Sequence, residues 1–162
     1  MIDEVLSFWF EELSSKDWFK KDENLDQMIK KRFKDLHLKA SLCELYSYRK
    51  SSKGRLAEVI ILDQFSRNIY RDQKEAFLYD GQALTLAQEA VNLGIDNELS
   101  LDEKRFLYLP YMHSESSIIH EKAVELFSIK GLENELEFEF AHKSIIDRFG
   151  RYPHRNKVLG RE

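Results

Sequence analysis

Apolar residues recur along this chain at helical spacing and do not alternate. Ile2, Val5, Leu6, Trp9 and Leu13 mark a first helix, with Phe8 and Phe10 on neighbouring faces and Trp18 and Phe19 placed to plug against it. Asn24 with Gln27 three residues later reads as a capping box, and the stripe Leu25, Met28, Ile29, Phe33 and Leu36 follows. Ser51 to Gly54 reads as a loop. Ala76 to Leu93 is predicted to be one helix closed by Gly94, with Ala76, Ala83, Ala87 and Ala90 along a line that lets a second helix approach. Ser100 and Glu103 make a capping box for a helix that Pro110 is predicted to kink or end. Further helices are expected over Ser117 to Ile129 and Glu133 to Phe149, the last with Phe138, Ala141, Ile145 and Phe149 as its core line and Gly150 as its stop. No strand pattern and no Asn-Gly turn occurs. The expected fold is all-α, seven or so helices in antiparallel pairs, with no sheet.

One stretch breaks the pattern. Leu56, Ala57, Val59, Ile60, Ile61 and Leu62 leave their helix almost no polar side, yet Asp63, Gln64, Arg67, Asn68 and Arg71 then fall in one sector of roughly 140° at ~100° per residue. A core face turns into an ionic one, while Phe65 and Ile69 keep the other side apolar. That arrangement places the polar groups at a core edge or in a cleft. Asp80, inside the alanine line, needs a cation there, and Arg67 or Arg71 can supply it.

Composition changes this picture little. At 162 residues the chain is expected to be one domain with a sizeable core. Cys43 is the single cysteine, which excludes an intramolecular disulfide and reads as a small buried hydrophobe. The first twenty residues lack the pattern of a signal peptide, and no segment is long and apolar enough for a membrane span. A soluble cytoplasmic protein is the expectation. The net charge of −4 argues against general nucleic-acid binding, but residues 142–162 alone carry six Lys or Arg against two acids, leaving −8 on the other 141 residues. Residues 150–162 are therefore expected to form a basic tail docked on an acidic helical body. Tyr152 and Phe149 offer too little stacking surface for RNA.

Val5 to Phe10, Leu62 to Arg71, Tyr108 to Glu115 and Phe149 to Arg161 together resemble, in order and across nearly the whole chain, the bacterial domain-of-unknown-function 924 family. The resemblance implies a tetratricopeptide-like, right-handed helical stack and implies no particular activity. The family's pattern continues in a short acidic segment beyond Glu162, so the resemblance implies a shortened member.

The polar residues at helix breaks and on the odd helix face form the candidate site: Asp63, Arg67, Asn68, Arg71, Asp80, His113, Glu115, His142, Arg151, His154, Arg155 and Asn156. Guanidinium forks beside histidines suit a carboxylate or phosphate, so a binding module for a small anion or the acidic group of a peptide is the first reading. The competing structural reading is an ion network that clamps the tail. An enzyme reading makes the site a hydrolase or transferase: His113 acts as acid or base, oriented by Glu115 or Asp63, while arginines stabilise a phosphoryl or acyl transition state. Neither Ser114 nor Cys43 is placed as a nucleophile by sequence. His37, His113, His120, His142 and His154 include no pair at metal-ligand spacing, and no glycine-rich phosphate loop occurs, so neither metal nor cofactor is expected. His113, Glu115, Arg71 and the His154–Asn156 turn are expected to converge on one cleft, with anion affinity stronger at pH 6 than at pH 8.

Overall fold

The computed structural model describes all 162 residues, and every regular element in it is helical. Helix α1 (Ile2–Ser7) runs on into a π turn over Phe8–Glu12, and α2 (Ser15–Trp18) follows. Trp18 donates its indole N–H to the carbonyl of Trp9 at 2.8 Å, fixing α2 against the first helix, whereas Phe19 is 65% exposed. Helix α3 (Glu23–Ser41) starts two residues earlier than the Asn24 cap requires. Asp22 is the cap, its carboxylate accepting from Asn24 and Leu25 N–H, because an Asp with extended backbone satisfies the orphan donors of the first turn. Cys43 follows α3 in an exposed turn at φ 62°, not in the core.

Ser51 opens a helix instead of sitting in a loop: its hydroxyl accepts from Gly54 N–H at 2.9 Å at the start of α4 (Ser52–Ile60). A π turn over Ile61–Phe65 links α4 directly to α5 (Ser66–Ile69). Leu56, Ala57, Val59, Ile60, Ile61, Leu62 and Phe65 have no exposed surface, so this run is the centre of the core. Around it pack Phe8 and Phe33, with Trp9 meeting Phe65 and Phe106 edge-on or tilted at 5.8 and 5.4 Å between ring centroids.

The helix expected over Ala76 to Leu93 is two pieces, α6 (Glu75–Leu78) and α7 (Asp80–Asn92), separated at Tyr79. Its alanine line is buried as expected, and Gly94 ends it at φ 70°. Helix α8 (Leu101–His113) carries the full capping box and continues through Pro110 to His113. Helices α9 (Ser117–Phe127) and α10 (Glu133–Phe149) complete the body, with Gly150 at φ 68°. The expected core line of α10 is displaced: Phe138, Ala141 and Phe149 are exposed and Ile145 only half-buried, while Glu139 and Ile146 point inward. The cause is Glu139, which the core accepts because His120 is buried opposite it. A 3₁₀ turn (Pro153–Arg155) and α11 (Asn156–Leu159) end the chain against α8 and α10.

Candidate functional site

Asp63 is wholly buried because the π turn holds it at the inner end of the α4–α5 helix. One carboxylate oxygen lies 2.7 Å from His113 Nδ1, and the other accepts from Gln64 Nε2 at 2.8 Å. Arg67 stands 3.5 Å from the first oxygen. Burial pushes this carboxyl up, but His113 and Arg67 outweigh burial and hold it below the usual carboxylate range. Asp63 is therefore an anion that only accepts, so His113 Nδ1 carries the proton and donates. Burial, and then the charge of Arg67, lower the His113 pKa despite Asp63, leaving the imidazole neutral at neutral pH. Its Nε2, with a free lone pair, makes no hydrogen bond within the chain.

His120 provides the internal contrast. It too is paired with an acid, Glu139 at 2.6 Å, but it is fully buried and its Nε2 is taken by Ser114 O at 2.6 Å and by the Tyr152 hydroxyl at 3.1 Å. Every polar atom of that ring has a structural duty. His113 keeps one nitrogen open, and it lines three adjoining clefts.

The largest, about 480 Å³, lies between α6–α7, the end of α8 and the tail, and is lined by Lys74, Phe77, Asp80, Glu115, Arg155 and His113 among others. A second, about 180 Å³, contains Gln64, Arg67, Asn68 and Arg71, and a third, about 270 Å³, contains Phe19, Phe138 and His142. The single cleft expected to join Arg71 to the tail is thus divided at His113. Arg71 is committed elsewhere: with Asn68 it holds Asp26, at 2.6 and 2.9 Å.

The remaining arginines are mostly spoken for. Arg67 grips Asp80 with both terminal nitrogens at 2.8 and 3.0 Å and also donates to the Asp63 carbonyl at 3.0 Å. Glu115 does not orient His113; Arg161 holds it bidentately at 2.9 and 3.0 Å, and the Tyr152 N–H donates to it at 2.6 Å. Arg155 differs. It is 6% exposed, donates to the His113 carbonyl at 3.1 Å, stands 3.7 Å from Asp80 and leaves Nε without a partner. Its guanidinium lies between the rings of Phe77 and Tyr152, at 4.5 and 4.6 Å. Burial lowers its pKa, with the charge of Arg67 adding to the effect.

His142 donates from Nδ1 to its own helix at Phe138 O, 2.7 Å away. His154 is exposed beside Tyr152, and its pKa is lowered by partial burial and by Arg155. Both lowered pKa values act against a gain of positive charge at pH 6, where the stronger anion binding is expected. Asn156 is half-buried with an unpartnered Oδ1, and Arg151 takes no part in these hydrogen bonds.

Gln64 was placed on the polar face but not counted in the site, and sequence reasoning left Asp26, Phe77, Tyr152 and Arg161 out of it. Asp26 had a signal, since it shares the buried sector of α3 with Ile29 and Phe33; the others are set by tertiary packing alone.

The sequence pattern described as "Bacterial protein of unknown function (DUF924)" matches residues 5–162. No curated protein matches the chain. Among solved structures, a protein of unknown function from Agrobacterium tumefaciens, ATU0120, is 34% identical; the match covers 99% of this chain and 90% of that one at a TM-score of 0.94. A match over nearly the whole length, in sequence and in structure, makes this chain a member of the bacterial DUF924 family.

Proposed function

We propose that the protein is a hydrolase or transferase in which His113 is the general base. The observation that carries this reading is the open Nε2 of a neutral imidazole whose other nitrogen is fixed by a buried carboxylate. A water or substrate hydroxyl in the 480 Å³ cleft gives its proton to Nε2 as its oxygen attacks an acyl or phosphoryl centre. Asp63 keeps the Nδ1 proton and stabilises the imidazolium, which then returns the proton to the leaving group. Arg155 faces the negative charge that develops on the attacked group. The test is a panel of 4-nitrophenyl esters and phosphates assayed with wild type, His113→Gln and Asp63→Asn. An activity that falls by about 10²–10⁴ in His113→Gln, the range of general-base catalysis, supports the reading. Turnover unchanged by His113→Gln overturns it.

A second reading draws on Arg155 alone. Its guanidinium, with Lys74 on the same cleft, suits a binding module for a small anion or the acidic group of a peptide. In that case inorganic phosphate raises the melting temperature of wild type and of His113→Gln alike, and no member of the panel is turned over.

A further inference from the structure

The third cleft at His113 differs in character from the other two. Phe19, Leu109, Met112 and Phe138 form its walls, and His113 and His142 stand at its polar edge. Its one carboxylate, Glu135, is turned to Arg105. His142 Nδ1 is committed to Phe138 O at 2.7 Å, so that nitrogen is turned to its own helix and not into the slot. Phe138 is 62% exposed and Phe19 65% exposed, so both rings face the slot with open apolar surface. Apolar surface held open beside a general base calls for an apolar ligand.

From this we infer that the 270 Å³ slot is the binding site for the apolar part of the substrate, an unbranched acyl or aryl group whose reacting end lies at His113 Nε2. The inference rests on the catalytic reading of His113 for the orientation of the substrate, not for the affinity of the slot. At roughly 30 Å³ for a water-sized unit, the volume holds about nine such units, the size of a medium-length acyl chain. The 480 Å³ cleft, which shares His113 with the slot, is lined by Lys74, Asp80, Glu115 and Arg155, which suits a polar head. Substrates with a polar portion and a medium-length apolar portion, joined by the bond that reacts, fit both chambers at once. Short polar substrates leave the slot empty and gain nothing from it.

Calorimetric titration with sodium alkanoates from butanoate to nonanoate tests the slot without requiring turnover. In wild type, affinity should rise about fourfold per added methylene, the gain from one buried CH₂. Phe138→Ala and Phe19→Ala remove exposed walls and spare the core, so they should fold and flatten this rise at the longer chains. His113→Gln should keep it. Affinity independent of chain length in wild type overturns the inference, and so does an unchanged slope in both phenylalanine variants. The outcomes separate cleanly from those of the catalytic test. A slope that persists while His113→Gln turns over the panel normally removes the general base and leaves the slot; a lost slope with an inactive His113→Gln does the reverse.

Discussion

Arg67 shows how far a single side chain ties this site together. Its side chain is 20% exposed, and it serves Asp80 bidentately, the Asp63 carbonyl and, at 3.5 Å, the Asp63 carboxylate. Arg67→Ala removes the bidentate partner of Asp80 and one of the charges that hold the fully buried Asp63, and should cost on the order of 3–5 kcal/mol in urea unfolding. A cost below about 1 kcal/mol would mark it as a surface pair. The Arg67–Asp80 pairing was legible in the sequence, because an acid on a line of alanines has few cations within reach. Arg71–Asp26 and Glu115–Arg161 were not, since each joins residues more than forty positions apart. His37 gives a prediction of another kind. Burial lowers its pKa from 6.5 to about 4, with Nε2 2.7 Å from the Ser66 hydroxyl. The unfolded chain therefore takes up a proton between pH 6.5 and 4 that the folded one refuses, and stability falls as the pH drops through that window. The loss should approach roughly 3 kcal/mol at pH 4, and His37→Gln, which cannot be protonated there, should lack that share. Parallel urea curves for both proteins at pH 7, 5 and 4 make the comparison; a constant gap between them would refute it.

At the level of elements, periodicity located the helices, and its failures have local causes. A 100° wheel carries Asp63 to Arg71 onto one face, but the π turn at Ile61–Phe65 adds a residue to the turn and resets the phase, so Asp63 and Gln64 go inward while Arg67 and Asn68 stay at the edge. In α10, four aromatic and aliphatic residues outvoted Glu139 on paper; an acid can occupy the core line only when a buried partner such as His120 faces it, and no local pattern reports that. Two glycines put the same point in testable form. Gly54 lies in the first turn of α4 where an added Cβ would stand 2.0 Å from the Tyr48 carbonyl oxygen, a backbone atom that cannot step aside. Gly81, at the start of α7, has nothing within 4 Å of the same position. Gly81→Ala should raise stability by a few tenths to about 1 kcal/mol through helix propensity. Gly54→Ala should lower it well beyond that gain, and thermal unfolding of the two variants should move in opposite directions. Shifts of the same sign would show that propensity, not the Tyr48 contact, governs α4.

For the whole molecule the decisive question is what holds residues 150–162. Charge is one answer: the segment is rich in Lys and Arg, Arg161 grips Glu115, and Arg155 approaches Asp80. Tyr152 is the stronger one. It is 1% exposed, its hydroxyl donates to the Met112 carbonyl at 2.5 Å and meets His120, and its ring lies against His142, His154 and Arg155. Losing a buried aromatic side chain costs about 3–5 kcal/mol, and in a chain of this size each kcal/mol moves the melting temperature by roughly 2–4 °C. Deleting residues 150–162 should therefore lower the melting temperature on the order of 10 °C, and Tyr152→Ala should reproduce most of that fall. An unchanged melting temperature in the deletion would mean that the tail only rests on the surface. Salt distinguishes the two sources of docking, because exposed charge pairs are screened within about 3 Å at 1 M ionic strength while a buried ring is not. If Tyr152 dominates, the difference between wild type and Tyr152→Ala should survive 1 M NaCl. If it collapses there, the basic charges hold the tail, and the wall that Arg155 gives the His113 cleft becomes a matter of ionic strength.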